Sequence, residues 1–163
     1  MGDPIRSPDP AAGAGPALAP DCARCHALCC VALPYTRGDG FAEDKPAGRP
    51  CRHLAADSRC SIHPVLATTG WRGCVVFECF GAGQQVSQHT YGGRSWHDGQ
   101  GLAEEMFTVF GVVRQLHEMR FLLGDPACAA SSYAVPARAL DAELADLAER
   151  APAELLAADL GSW

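Results

Sequence analysis

Eight of the nine cysteines in this chain of 163 residues fall between residues 22 and 79, and their spacing indicates a site for chemistry. A thiolate is a soft ligand for zinc or iron, and a Cys-x-x-Cys turn brings two sulfurs together locally. Ligands returning from further along the chain complete such a site. The cluster therefore predicts a metal or iron–sulfur centre, with redox-active disulfides as the alternative. Its members are Cys22, Cys25, Cys29, Cys30, Cys51, Cys60, Cys74 and Cys79.

The N-terminal sequence gives no indication of export. Its first ten residues contain three prolines and two aspartates and lack the apolar stretch of a secretory signal. The sequence also lacks the run of about 18 apolar residues that a membrane-spanning helix needs. We therefore expect a cytoplasmic protein with no membrane partner, and in that compartment clustered cysteines are more often metal ligands than disulfides. The ninth cysteine, Cys128, is predicted to be a small buried residue.

The charge of such a site requires compensation. Four thiolates around one zinc ion, or around a [4Fe-4S] core, leave a net charge of about −2. Residues 21–83 carry seven basic and six acidic side chains, so nearby arginines are candidate counter-charges. His53 and His63 follow cysteines by two and three residues and are possible further ligands. The candidate arginines are Arg24, Arg37, Arg49, Arg52, Arg59 and Arg72.

Residues 22 to 79 resemble the YkgJ-type CxxCxxCC family, which is described as zinc- or iron-chelating. The resemblance rests on the four cysteines that end in a Cys-Cys pair, on Cys-Arg-His-Leu at 51–54, on Cys-Ser-Ile-His at 60–63 and on the closing cysteine pair. Three residues precede Cys29 where the family often has two, and His63-Pro64 replaces an Arg-Pro. The resemblance implies that the eight cysteines are metal ligands.

A second, narrower resemblance concerns residues 41–48 and 80–86. These segments are similar to a cysteine-rich segment that precedes pentapeptide repeats in some proteins. The sequence shows no tandem run with Leu or Phe every five residues. This resemblance therefore implies a leading segment that acts as an interaction module.

Composition divides the chain into four parts. We predict a disordered tail at 1–20, a cysteine-rich metal-binding region at 21–83, a connector at 84–101 and a helical region at 102–163. Residues 140–163 carry six acidic side chains against one arginine. The sequence contains no basic stripe, so binding of nucleic acid through its phosphates is not expected.

The helical region has clear boundaries in the sequence. Apolar residues recur at helical spacing from Leu102 to Leu123, and Gly124 is predicted to end that helix. A second helix is expected from about Pro136, and Pro152 begins a third segment that extends to Leu160. We expect His117 to lie on a helix surface.

The cysteine-rich region is harder to predict, because glycine and proline interrupt it often. Residues 22–33 are expected to form one short helix, with three cysteines along one face. Residues 73–80 suit a short strand or a tight turn. Such a region buries too little apolar area to fold unaided. The predicted fold is therefore a small irregular metal-stapled region packed on two or three α-helices, mainly α.

The sequence thus predicts a protein that chelates zinc or iron through eight cysteines. An iron–sulfur redox protein or enzyme, holding a [4Fe-4S] cluster on the same residues, is one alternative. An interaction module that binds a protein partner through the helical region is the other. No catalytic residue is assigned, because the Cys25–His26 pair has no signal of an activated thiol or an oxyanion site. Whether the protein is an enzyme, and its oligomeric state, stay open at this point.

Overall fold

The computed structural model describes residues 18–99 and 101–158, and within these ranges the chain is mainly helical. Short 3-10 helices cover Cys22–Arg24, Arg37–Asp39 and His63–Thr68, and a π-helix covers Gln85–Thr90. Extended pairing in the described ranges is limited to two isolated bridges, Tyr35–Lys45 and Leu54–Cys60. The predicted mainly α fold with an irregular cysteine-rich half is confirmed. The α-helices are α1 (Leu28–Ala32), α2 (Arg72–Val76), α3 (Ala82–Gln84), α4 (Leu102–Leu123), α5 (Pro126–Ala129), α6 (Ala134–Ala148) and α7 (Pro152–Ala157).

Helix α4 has the bounds that the sequence predicts, and it lies at the centre of the main hydrophobic core. Acidic residues occupy its first turn and Arg120 its last, which complements the helix dipole. Helices α1, α6 and α7 all pack against it. The fully buried side chains of α4 are Met106, Val109, Phe110, Val113 and Leu116.

Helices α6 and α7 also lie where the sequence predicts them. Leu144 and Leu155 are fully buried in the same core as α4. An ion pair between Arg120 and Asp141, with 2.9 Å from Nε to Oδ1, joins α4 to α6. Leu160 lies outside the described residues. None of the described helices is long and apolar enough to cross a membrane.

The prediction that His117 lies on a helix surface is wrong. Its side chain is only 3% exposed, and Nδ1 lies 2.7 Å from the carbonyl oxygen of Phe80. His117 follows Val113 by four residues, so the helix turns it toward the apolar face. Burial lowers the pKa of the imidazole.

Two predictions for the cysteine-rich half are corrected. Residues 22–33 do not form one helix, because Ala27 adopts a left-handed conformation with φ of 56° and separates Cys22–Arg24 from α1. Residues 73–80 begin inside α2, which is helical where a strand or a turn was expected. Here tertiary contact overrides local preference: Gly73 donates its N–H to the carbonyl of Gly40 at 2.9 Å.

The predicted tail ends in contact with the folded chain. Residues 1–17 lie outside the described residues. Leu18, the first described residue, is buried, and the Gln84 side chain donates to the carbonyl of Ala19 at 2.7 Å.

The connector also packs on the cysteine-rich region. Its π-helix buries Val86 and Ser87. Trp96 donates its ring N–H to the carbonyl of His26 at 3.0 Å. These contacts position the cysteine-rich region against the helices.

A second, smaller hydrophobic core lies within the cysteine-rich region. Tyr35 stacks on Phe41 with ring centroids 4.5 Å apart, and Trp71 meets Tyr35 edge-on at 5.5 Å. Cys51 is buried in the same cluster, and Cys30 and Cys74 pack against it. The aromatic rings therefore support part of the cysteine cluster directly.

Gly73 is predicted to be essential to this smaller core. A Cβ at this position would overlap the Phe41 ring, which Tyr35 and Trp71 hold in place. We expect Gly73→Ala to lower the free energy of unfolding by about 1 to 2 kcal/mol in a urea titration, because overpacking outweighs the gain in helix propensity. Gly111→Ala in α4 is the control, since a Cβ there meets nothing within 4 Å. That variant should gain up to about 1 kcal/mol. Equal behaviour of the two variants would contradict the prediction.

Candidate metal-binding site

The eight clustered cysteines are free thiols and separate into two sets of four. The four members of the first set all line one small cavity of about 20 Å³, together with Gly83 and Phe110. Roughly 10–15 Å³ of such volume holds one water molecule, so the cavity has room for one body of that size. The first set is Cys22, Cys25, Cys29 and Cys79.

The second set is grouped by shared packing, and electrostatics agrees with the grouping. Cys51 is buried in the smaller core, Cys30, Cys74 and Leu54 pack against it, and the Leu54–Cys60 bridge brings in Cys60. Burial raises the pKa of Cys74 to about 11, and charge on Cys30, Cys51 and Cys60 acts in the same direction. Burial likewise raises the pKa of Cys60, and charge on Cys30 and Cys51 adds to it. The second set is Cys30, Cys51, Cys60 and Cys74.

Backbone turns after several cysteines direct N–H groups at their sulfurs. The backbone N–H groups of Ala27 and Leu28 act to lower the pKa of Cys25, and those of Ile62 and His63 act to lower the pKa of Cys60. These donors lie two and three residues after the sulfur. They act on the thiol pKa against the raising effect of burial, since they favour the charged form.

Cys51 and Cys79 follow the same pattern. The N–H of His53 donates to Cys51 Sγ at 3.4 Å, and the backbone N–H groups of Gly81 and Gly83 act to lower the pKa of Cys79. Each set therefore contains two cysteines that are followed by turns whose N–H groups favour the thiolate. Such outer-shell hydrogen bonds orient and stabilise sulfur ligands.

Other contacts bring the four members of each set together. In the first set, the Arg59 guanidinium donates to the carbonyl oxygens of Cys22 and Ala23, which attaches the N-terminal 3-10 helix to a distant loop. In the second set, Cys51 donates its N–H to the carbonyl of Cys30 at 2.9 Å. The Leu54–Cys60 bridge brings Cys60 back toward Cys51.

Cys29 and Cys30 connect the two sets, because they are adjacent in α1. Their sulfurs are 3.9 Å apart and share a hydrogen bond. This bond raises the pKa of Cys29 and lowers that of Cys30. The charge of Lys45 also lowers the pKa of Cys30.

Lys45 is a residue of this site that sequence reasoning missed. It is 7% exposed, and its ammonium donates to the carbonyls of Val31, Pro46 and Arg49 at 3.3, 3.2 and 2.8 Å. Burial lowers the pKa of the ammonium, while charge on Cys51, Cys30 and Cys29 opposes that shift. The signal available in the sequence was that Lys45 is its single lysine.

The six candidate arginines are all exposed. Arg52 pairs with Glu43 at 3.2 Å and lies over the Trp71 ring. Arg59, already engaged with backbone carbonyls, is the arginine whose charge lowers the pKa of Cys22, against the larger effect of burial. An exposed arginine is screened by water, so its charge compensates the sulfurs less than a buried charge does.

The candidate histidines have other partners. The His53 ring meets Trp71 edge-on at 4.9 Å and accepts from Arg52 Nε at 3.3 Å. His63 is exposed at the start of its 3-10 helix. His26 Nε2 lies 3.0 Å from the carbonyl of Gly93. Cys128 lies in α5, away from both sets in sequence, and is half-buried.

The sulfurs are not drawn together at a single point. Within 18–99 and 101–158, no group of three or more His, Cys, Asp or Glu side chains has the arrangement of a completed metal-ion site. Each set is therefore a group of neighbouring thiols, and its members would have to move inward to share an ion.

Comparison with known proteins identifies a relative. The chain is similar to the uncharacterized protein YybG of Bacillus subtilis (strain 168), with 52% identity over 106 residues. The aligned part covers 65% of this chain and 38% of YybG, so the chain matches well under half of its relative. No protein-family model and no solved structure matches the chain.

Gly83 is predicted to be required for the first set. A Cβ on Gly83 would lie 2.6 Å from Cys25 Sγ and 3.3 Å from its Cβ, too close for either atom to stay in place. We expect Gly83→Ala to lower the unfolding free energy by about 1 to 3 kcal/mol in reducing, chelator-containing buffer, where packing alone is measured. Gly111→Ala again serves as control. A Gly83→Ala variant as stable as Gly111→Ala would show that Cys25 is not confined by Gly83.

Proposed function

We propose that this protein binds two metal ions, zinc or iron, one in each set of four cysteines. The observation that carries the proposal is the division of eight thiols into two sets of four, each with N–H donors aimed at two of its sulfurs. Four sulfur ligands are the usual complement of a structural zinc site. The resemblance to the YkgJ-type family supports the same function, and we propose that the chain is of that type.

The chemistry of the donors fits such ions. Thiolates are the preferred ligands of zinc and of iron, and an ion bound by four of them stabilises a fold by linking distant segments. In the first set these segments are the N-terminal 3-10 helix, α1 and the turn that leads into α3. In the second set they are α1, α2 and the two loops that contain Cys51 and Cys60.

The cavity of the first set has a volume of about 20 Å³, which is room for one body of the size of a water molecule. We therefore propose single ions, and the metal analysis below distinguishes them from an iron–sulfur cluster. Because the sulfurs are not yet in a completed arrangement, binding would draw them inward. We propose that the bound ions have a structural or storage role, which requires no substrate.

Metal analysis tests the proposal. Protein purified without air and without added metal should contain two equivalents of zinc or iron per chain and no inorganic sulfide by elemental analysis, and should resist alkylation at all eight clustered cysteines. A brown product that absorbs near 400 nm, with stoichiometric iron and sulfide, would replace the proposal with an iron–sulfur protein. Folded protein without metal, in which all thiols react freely, would overturn both.

Single cysteine variants test the assignment of ligands. Cys79→Ser should reduce the metal content from two equivalents to one and expose Cys22 and Cys25 to alkylation, because it removes a ligand of the first set. Cys74→Ser should reduce it equally and expose Cys51 and Cys60 instead. Peptide mapping by mass spectrometry measures both patterns.

Cys128→Ser is the matched control for these variants and should keep two ions. If Cys60→Ser and Cys74→Ser leave both fold and metal content unchanged, the protein is an interaction module and the ligand assignment is wrong. If either variant exposes all eight thiols equally, the division into two sets is wrong.

A further inference from the structure

We infer that Lys45 is the buried counter-charge of the second cysteine set, so that metal binding by the second set depends on Lys45 and binding by the first set does not. The inference rests on the proposed metal binding and deepens it, because it makes the two sites unequal. It assigns a positioning role to the single lysine in the sequence.

The burial of Lys45 is the first step. A lysine is almost never buried unless its charge is paired. Within the described residues, the ion pairs all involve arginine, and no carboxylate lies within 4 Å of the Lys45 ammonium. Three carbonyl oxygens satisfy its N–H groups but supply only partial charges. A full negative charge nearby would therefore stabilise the charged form of this ammonium.

The second cysteine set supplies that charge. The ammonium donates to the carbonyl of Val31, the residue after Cys30, and lies 5.3 Å from the ring centroid of Tyr35, which packs in the same small core as Cys51. Charge on Cys51, then Cys30, and more weakly Cys29 of the first set acts on the pKa of this ammonium. A four-thiolate site around a divalent ion carries a net charge of about −2. A buried ammonium beside it offsets part of this charge in a medium of low dielectric, where Coulomb interactions are strong.

Tyr35 supplies a second observation on this side of the second set. Its hydroxyl is buried and has no hydrogen-bond partner among the described residues. Tyr35 and Cys51 belong to the same small core, so a thiolate at Cys51 could accept from this hydroxyl and satisfy the unpaired donor.

Lys45 and Tyr35 are fixed relative to each other. Tyr35 donates its N–H to the Lys45 carbonyl at 3.0 Å, and Lys45 donates to the Tyr35 carbonyl at 2.8 Å. The ammonium also lies 5.3 Å from the centroid of the Tyr35 ring. The Lys45 ammonium and the Tyr35 hydroxyl therefore both belong to residues of one backbone bridge, Tyr35–Lys45, beside the second set.

The first set has no equivalent. The basic side chain whose charge lowers the pKa of Cys22 is the exposed guanidinium of Arg59, which already donates to two carbonyl oxygens. The Asp21 side chain, also close, has the opposite charge and raises the pKa of Cys22. Removal of the Lys45 charge should therefore affect one site only.

Charge variants test this inference in the full chain. Lys45→Met should lose one of two zinc equivalents, or bind the second at least tenfold more weakly in competition with a chelator. Alkylation mapping should then find Cys51, Cys60 and Cys74 reactive while the first set stays protected. Lys45→Arg, which keeps the charge, should restore at least part of the second site. Arg72→Met is the matched control, because it removes an exposed charge two residues before Cys74 and should behave as wild type.

A second measurement, in which Lys45 itself is not substituted, covers the case in which Lys45→Met fails to fold. Lys45 is the single side-chain amine, so its acetylation is measured without interference from other lysines. We expect acetylation of the zinc-loaded protein to be at least tenfold slower than that of Cys74→Ser protein, which lacks the second site, and about as slow in Cys79→Ser.

The outcomes separate the two proposals. Wild-type protein without metal would overturn the proposed function. Two ions in the wild type, with unchanged zinc affinity in Lys45→Met, would leave the function intact and overturn the role of Lys45. Equal acetylation rates in wild type and Cys74→Ser would overturn that role as well.

Discussion

The docking of α1 on α4 is the interaction on which the cysteine-rich half depends. Helix α1 is only five residues long, yet Leu28 and Val31 are fully buried, and Leu28 joins the core around α4. Neighbouring residues of a helix point about 100° apart, so Cys29 and Cys30 can serve different sides of α1. One well-anchored turn of helix thus positions a sulfur of each set. Of the remaining six cysteines, Cys74 lies in the short helix α2 and Cys22 in a 3-10 helix, and the other four lie in loops.

Sequence alone predicts the helical half well. The helix from Leu102 to Leu123 follows from a long apolar periodicity, and Gly124 ends it as expected. Prediction is less successful where short elements depend on tertiary contact. The break at Ala27 and the helix at Arg72–Val76 are stabilised by packing and by hydrogen bonds to distant residues, which local preferences do not contain. His117 shows the same limit, because its burial depends on which helix face meets the core.

The candidate site shows a similar division. The residue types and their clustering are visible in the sequence, but the assignment of cysteines to sets is not. Cys79, last in the series, belongs with the first three, whereas Cys30 belongs with later members. The same limit applies to the counter-charges. The sequence makes six arginines the obvious candidates, yet all six are exposed, whereas the single lysine is buried beside the sulfurs.

The order of the two sets along the chain also determines how their loops close. The second set spans residues 30 to 74 and lies entirely inside the interval between Cys29 and Cys79. The two sets are therefore nested. If an ion closes the inner loop as proposed, Cys29 and Cys79 are connected through Cys30 on one side and through residues 74–78 on the other. The entropic cost of closing the outer loop would then fall from that of a 50-residue loop to that of a short one. A chain that binds ions in this way would assemble from the inside outward, and it could release its outer segments while its inner loop stays closed.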